Sequence, residues 1–336
     1  MATTIEYALL AGEAYQDTRA AINRFPIPNE WVVYSRVPES STSGFEASAY
    51  QRGTEIVISF AGTGTAIDHI TNVALALGDN AEQLLQAAAY YLQVKASAPA
   101  GATITFTGHS LGGGLASLVA VFFGVGAQTF DQAPFQNSAS EAMRDYLVIE
   151  LTRQGFSATD LAPLSGYSAA DYALRSGSVT NINVQGEVLS SAPFTLFNRI
   201  GTTIQDIANS ANGVAGGDLH SQALLTAMLQ SGDTSTTTAT DHTLGQVTFK
   251  LTDLLKMIFD KNLFARDTDP LSDQVNLIEH LVRHQAGGIG GVPAGGDQMV
   301  TRFTSDLWKL AQDGGLTMSE GATLLGELNN VNKALI

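Results

Sequence analysis

The stretch Ile104–Leu118, ITFTGHSLGGGLASL, decides how this chain is read. Its first residues are β-branched and aromatic, as in a strand, and its last are small and apolar, as in a buried helix. Between them stands Gly-His-Ser-Leu-Gly, so strand must turn into helix within a few residues. Such a corner drives the backbone past its own neighbours. Gly108 and Gly112, two before and two after Ser110, leave out the side chains that would collide. A serine on this bend projects its hydroxyl clear of both elements, where a base could take its proton. The helix starting at Leu111 aims N–H groups without intrahelical acceptors at the same place. The Leu111 N–H is therefore the first candidate donor to a developing oxyanion.

Two other readings compete. A glycine-rich junction can exist for close packing alone. A phosphate loop needs the lysine of Gly-x4-Gly-Lys-Ser/Thr, and none is present. His109, on the corner itself, is badly placed to fold back as a base and is expected to pack or to partner nearby groups.

Working outward, strands alternate with helices. TEIVISF (54–60) and ATITFTG (102–108) read as strands covered on both faces, AQTFDQAPF (127–135) as a strand and its end, and SVTNINVQGEVL (178–189) as another. Trp31–Val37 and Phe45–Gln51 are earlier β-like runs parted by the turn residues PESSTSG. Helices are expected over 5–24, over 79–97 with Asn80 as cap and Gln83 reaching back to it, from Leu111 onward, and twice within 138–175. This alternation predicts crossover connections, hence an α/β fold with a mainly parallel sheet and its site at the carboxyl ends of strands. After the polar break SGDTSTTTATDH (231–242) come helix-like segments such as FKLTDLLKMIF and NLIEHLVRH. The chain is thus expected to divide into a main domain, 1–242, and a helical extension, 243–336.

Composition narrows the partners. A hydrophobic content of 44% supports a sizeable core. A formal charge of −15 excludes a nucleic-acid binder of the ordinary basic kind and disfavours electrostatic docking on anionic lipid, so any lipid contact is expected to be apolar. With no cysteine, the nucleophile cannot be a thiolate and no disulfide forms. No apolar run is long enough for a transmembrane segment, and MATTIEYALLAGEAYQ lacks the basic start and apolar core of a signal peptide. Location stays open between the cytoplasm and export without a cleavable signal, and the sequence does not speak to oligomeric state.

A tetrahedral intermediate needs a second oxyanion donor, from a loop after an earlier strand. In ISFAGTGTAIDHITNVALALG the strand ends at Phe60, Gly62 lets the backbone turn, and Thr63 offers both its N–H and its hydroxyl. Just beyond, Ile67, Ile70, Ala74 and Leu77 fall at helical spacing. An amphipathic helix beside a reactive serine is expected to act as a lid over residues 64–78, opening on an apolar surface.

Together, ISFAGTGTAIDHITN and ITFTGHSLGGGLASL resemble the class 3 lipases, an α/β-hydrolase family. The resemblance spans roughly residues 1–230, is most specific around the elbow, and stops short of the C-terminal helices. It implies an α/β-hydrolase fold with Ser110 as nucleophile, Thr63 as side-chain oxyanion residue, and Asn72 as the lid residue that steadies the Thr63 hydroxyl. His69 stands where the family usually carries tryptophan. The order Ser, acid, His then applies. His220, in a loop before a helix about 110 residues after Ser110, resembles the family's histidine. His242 is the runner-up. Glu187, at the end of 178–189, takes the place of the family's strand-end aspartate; Asp131 in TFDQAPF is its rival. The resemblance implies a serine carboxylic-ester hydrolase of lipase type, acting on triacylglycerol or another acyl ester at a lipid–water interface and needing no cofactor. Phospholipase A1 activity is the alternative within that chemistry, and a non-catalytic binding module the alternative outside it.

Three further signals are set aside. His280 and His284 share a helix face, but EHLVRH is not His-Glu-x-x-His and no third ligand is evident, so no metal is expected. DTDPLSDQVNLI (267–278) starts like a calcium loop but has serine at the sixth place and isoleucine at the twelfth. GGIGGVPAGG has no strand before it and reads as a link.

Overall fold

The first helix, α1 (Thr4–Glu13), opens with a capping box: the Thr3 hydroxyl accepts from the Glu6 N–H while the Glu6 side chain accepts from the Thr3 N–H. The expectation of one helix over 5–24 is corrected, because α1 stops at Glu13. The N–H groups of Gln16 and Asp17 donate instead to the Glu46 carboxylate, at 2.6 and 2.9 Å, and so satisfy themselves outside a helix. The computed structural model describes residues 1–17, 25, 27–28, 30–62, 77–191, 194–209, 220, 222, 225–226, 229 and 243–244. Thr63, residues 64–76 of the expected lid with His69 and Asn72, His242, His280, His284 and residues 245–336 of the expected extension lie outside them.

Strands β1 (Val32–Val37), β2 (Ala47–Arg52) and β3 (Glu55–Phe60) form an antiparallel meander. From β3 onward every pairing is parallel: β4 (Thr103–His109), β5 (Ala127–Phe130), β6 (Val179–Val184), β7 (Thr202–Asn209) and the two-residue β8 (Thr243–Leu244). The strands lie in sequence order across the sheet. Parallel neighbours need crossovers, and helices supply them. These are α2 (Leu77–Ser97) before β4, α3 (Leu111–Phe123) before β5, and α4 (Glu141–Arg153), α5 (Ala162–Ser165) and α6 (Ala169–Arg175) before β6. The architecture is the expected mainly parallel α/β-hydrolase fold, with helices on both faces.

The two-residue period of β4 shows how the layers are built. Thr105 and Thr107 point toward α1, where their hydroxyls meet the Tyr7 hydroxyl and the Tyr7 carbonyl at 3.0 and 3.3 Å. Phe106 points the other way and packs among Phe60, Tyr91 of α2 and the α3 side chains; its ring lies 5.1 Å from that of Tyr91. Phe60 and Phe106 are both fully buried, and removing each ring from water contributes roughly 1.5–3 kcal/mol. Among the described residues no helix is long and apolar enough to cross a membrane.

Four local expectations are revised. Helix α2 begins at Leu77, so Asn80 lies inside it rather than capping it, and the expected lid's last two residues, 77 and 78, belong to its first turn. Gln83 does not reach back; its amide donates to the Ser43 carbonyl, a tertiary partner. The strand expected over 178–189 ends at Val184, because Gly186 takes a positive φ of 80° and turns the chain. Between β5 and β6 there are three helices rather than two. The sequence pattern also marks no strand at 202–209: β7 is largely polar and owes its order to the ladder with β6, a non-local partner.

Candidate active site

The carboxyl ends of β4, β5 and β6 lie side by side and present Ser110, Asp131 and Glu187. At the end of β4 the glycines act as the corner requires. A Cβ on Gly108 would lie 2.4 Å from the Gly112 carbonyl carbon, and one on Gly112 would lie 2.0 Å from the Phe60 oxygen. Ser110 itself sits at φ 58°, ψ −125°, left-handed backbone that a non-glycine residue holds only at a cost of about 1–3 kcal/mol. Its N–H donates to Phe130 O at 3.0 Å, and its carbonyl accepts from Gly114 and Ala133 N–H at 3.1 and 2.9 Å, so the surroundings hold the strained turn.

Ser110 is the N-cap residue of α3, yet its hydroxyl makes no capping bond. It lies 2.7 Å from His220 Nε2 instead. His220 Nδ1 lies 2.8 Å from Glu187 Oε2. Glu187 is fully buried, and its oxygens accept from four donors. Oε2 also takes the Leu189 N–H at 2.7 Å, and Oε1 takes the Ser190 hydroxyl at 2.7 Å and the Arg199 guanidinium at 2.5 Å. Burial acts most strongly on this carboxyl and pushes its pKa up. The bond from His220, the charges of His220 and Arg199 and the Ser190 hydroxyl together outweigh burial and hold it below its ordinary 4.5. Glu187 is therefore a carboxylate, an acceptor only, so the proton between it and His220 belongs to Nδ1. In the neutral ring this tautomer leaves the Nε2 lone pair facing the Ser110 O–H. The imidazole is 9% exposed.

The structure thus brings together three residues singled out in the sequence, Ser110, His220 and Glu187. Leu111 is the first residue of α3, where an N–H has no intrahelical acceptor. Gly62 comes alongside the serine: a Cβ there would lie 3.4 Å from Ser110 Cβ and 2.5 Å from the Tyr15 hydroxyl. Thr63, the next residue, is outside the described residues. Asp131 is buried at the end of β5 at φ 39°, with Oδ1 accepting the Val184 N–H at 2.8 Å, a bond that ties β5 to β6. His109 packs as expected: its ring lies 4.7 Å from that of His220, and Nδ1 lies 3.4 Å from the Tyr15 hydroxyl.

His109, Asp131 and His220 bring possible ligand atoms within 4.8 Å of one another. The donor set does not suit a resident metal, because both His220 nitrogens are committed to Glu187 and Ser110. Ser190 and Arg199 escape any reading of the sequence. They bond Glu187 from 3 and 12 positions away, and nothing in VLSS or FNRIG marks that.

Fold and site define the class: an α/β-hydrolase of the lipase and phospholipase type, as the elbow motif implied. The chain belongs to the phospholipase-like family described as the Tle-like phospholipase domain, whose model matches residues 6–250. A curated sequence, the extracellular phospholipase A1 of Serratia liquefaciens, is 41% identical over 91 residues, 27% of this chain and 28% of that protein. The chain thus matches under a third of the length of that relative. Solved structures with partial likeness include a lipase from Rhizopus microsporus var. chinensis (14% identity, 59% of this chain, 72% of that one, TM-score 0.37). Lipase II from Rhizopus niveus is another (15% identity, 59% and 78%, TM-score 0.37).

Proposed function

We propose that the chain is a serine hydrolase of lipid carboxylic esters, with Ser110 as nucleophile, His220 as general base and acid, and Glu187 as the carboxylate that orients it. The observation that carries this reading is the hydrogen-bonded line Ser110 Oγ, His220 Nε2, His220 Nδ1, Glu187 Oε2, at 2.7 and 2.8 Å. Nε2 takes the hydroxyl proton as Oγ attacks the ester carbonyl. The oxyanion is met by the Leu111 N–H and by Thr63, the residue after Gly62. On collapse, the imidazolium returns its proton to the leaving alcohol and the acyl group stays on Ser110. Water then gives a proton to Nε2 and attacks the acyl carbonyl; on collapse the imidazolium returns that proton to Ser110 Oγ, releasing the fatty acid and restoring the serine. Glu187 remains ionised and offsets the imidazolium charge at each step. No step calls for a cofactor.

The substrate proposed is a glycerophospholipid, cleaved at an acyl ester as a phospholipase A. The matching family and the Serratia sequence support this headgroup, and the latter supports attack at the first position. Triacylglycerol is the substrate it must be separated from. Residues 64–76 are proposed as a lid; because Thr243–Leu244 form β8 of the sheet rather than the start of a helical segment, the helical extension is proposed over 245–336.

The test is fatty-acid release from phosphatidylcholine and from triacylglycerol emulsion, each carrying a distinguishable acyl chain at every position. Faster loss of the first-position chain of phosphatidylcholine is expected. Preference for triacylglycerol would reassign the substrate. Undiminished turnover by Ser110→Ala would remove Ser110 as the nucleophile, and absence of ester cleavage by the unaltered chain would favour a binding module.

A further inference from the structure

The group that faces Glu187 from the side away from His220 is a full positive charge. Arg199 lies in the turn before β7. One terminal nitrogen donates to Glu187 Oε1 at 2.5 Å, the other to the Ser190 hydroxyl at 3.2 Å, and Nε to the Gln132 carbonyl at 2.6 Å. Its side chain is 18% exposed and that of Glu187 is fully buried, so solvent screens this pair little. Gln132 belongs to the turn after β5, whose next residue, Ala133, donates its N–H to the Ser110 carbonyl. Gln132 is itself held by Asn181 at 2.6 Å and by the Ile200 N–H at 2.9 Å. One guanidinium therefore joins the turn that carries the acid to the turn that braces the serine.

We propose that Arg199 is a positioning residue which holds the Glu187 carboxylate in register with His220 and, by offsetting part of its charge, sets how readily His220 gives up its proton. This rests on the roles proposed for Ser110, His220 and Glu187. An unbalanced buried carboxylate pulls strongly on an imidazolium proton, and a base so loaded frees itself only at higher pH. The guanidinium weakens that pull by offsetting part of the carboxylate's charge. Among the described residues, the other charged or titratable groups facing this pair are His109 from the end of β4, with the Tyr15 hydroxyl behind it, and Asp131 from the end of β5. All of them remain when Arg199 is changed.

The test uses the full chain with 15N-labelled histidine, with the His220 signal identified by its loss in His220→Gln. The imidazole titration midpoint and the pH dependence of kcat/KM on a p-nitrophenyl ester are compared for wild type, Arg199→Gln and Arg199→Lys. In Arg199→Gln both the midpoint and the acidic limb are expected to move up by about 1 pH unit. In Arg199→Lys both stay within about 0.3 of wild type, while the plateau falls several-fold because an ammonium cannot span Glu187, Ser190 and Gln132. Loss of rate at every pH, with midpoint and limb unmoved in Arg199→Gln, would reduce Arg199 to a brace and overturn the proposal. A moved midpoint with a stationary limb would keep the electrostatic link and remove His220 as the base, so the two failures are distinct. Should Arg199→Gln not fold, a displaced limb in Arg199→Lys would by itself overturn the proposal.

Discussion

The serine corner and the acid turn stand at the carboxyl ends of two strands of one sheet, and they are held in opposite ways. The corner is built from its own few residues: Gly108 and Gly112 clear the path, Ser110 takes the positive φ, and α3 begins at once. The acid turn is built from distant ones. Glu187 is fixed by His220 from beyond β7, by Arg199 from the turn before β7 and by Ser190 from beside it. The Gly108–Gly112 clearance lies within one corner of the chain, with Phe60 of the neighbouring strand adding to it, whereas charge balance in a buried site must be assembled from wherever the chain returns. A sequence therefore displays the first and conceals the second.

The largest test of this contrast is Glu187→Ala. It leaves the serine corner intact and is expected to lower kcat by about 10³–10⁴-fold, while labelling of Ser110 by a fluorophosphonate slows rather than disappears. The same variant leaves the Arg199 charge without its carboxylate and is expected to cost about 2 kcal/mol in urea unfolding at neutral pH. The pH dependence has a definite sign. The folded-state pKa of Glu187 lies below the ordinary 4.5, so its contribution is complete above that pH and fades as the pH falls further, through the folded value. Wild type and variant should accordingly converge in stability as the solution is acidified below that point. A gap that stays constant with pH would mean that the carboxylate is not what the turn is built around.

Gly112→Ala attacks the other region. A methyl group there would fall 2.0 Å from the Phe60 oxygen, a backbone atom that cannot swing aside. A loss of about 3 kcal/mol or more is expected, against a fraction of that for alanine at Gly53, which has open space around it and only its φ of 59° to strain. Equal effects at the two glycines would deny the corner its steric logic. The smallest effect, and the one of opposite sign, belongs to Ser110→Gly. It removes the hydroxyl and abolishes ester turnover, but it relieves the left-handed strain and is expected to raise stability by up to about 1 kcal/mol. A destabilised Ser110→Gly would show that the hydroxyl's bond to His220 outweighs the backbone strain.

Most of the fold was legible because parallel α/β sheets use apolar strands and amphipathic crossovers whose periods are local. What escaped was either short or supported from elsewhere. Helix α1 ends early because Glu46, just before β2 of the meander, takes the N–H groups that would have continued it. Gln83 looked like half of a capping box and instead serves Ser43. β7 carries too little apolar alternation to declare itself and forms on the ladder with β6.

The site divides along the same line. Ser110 and its glycines, the Leu111 N–H and the place of His220 before a helix could be read from motif and order. The choice between Glu187 and Asp131 could not, since both are strand-end carboxylates in a chain with many acids. Three-dimensional structure gives the Nδ1 bond to Glu187 and shows one Asp131 oxygen spent on Val184. What this sequence determined by itself is a strained serine at a strand–helix bend, because steric exclusion acts between neighbours in the chain. What only the tertiary structure decided is which carboxylate and which arginine complete the line behind it, because buried charges answer to distance in space and not to distance along the chain.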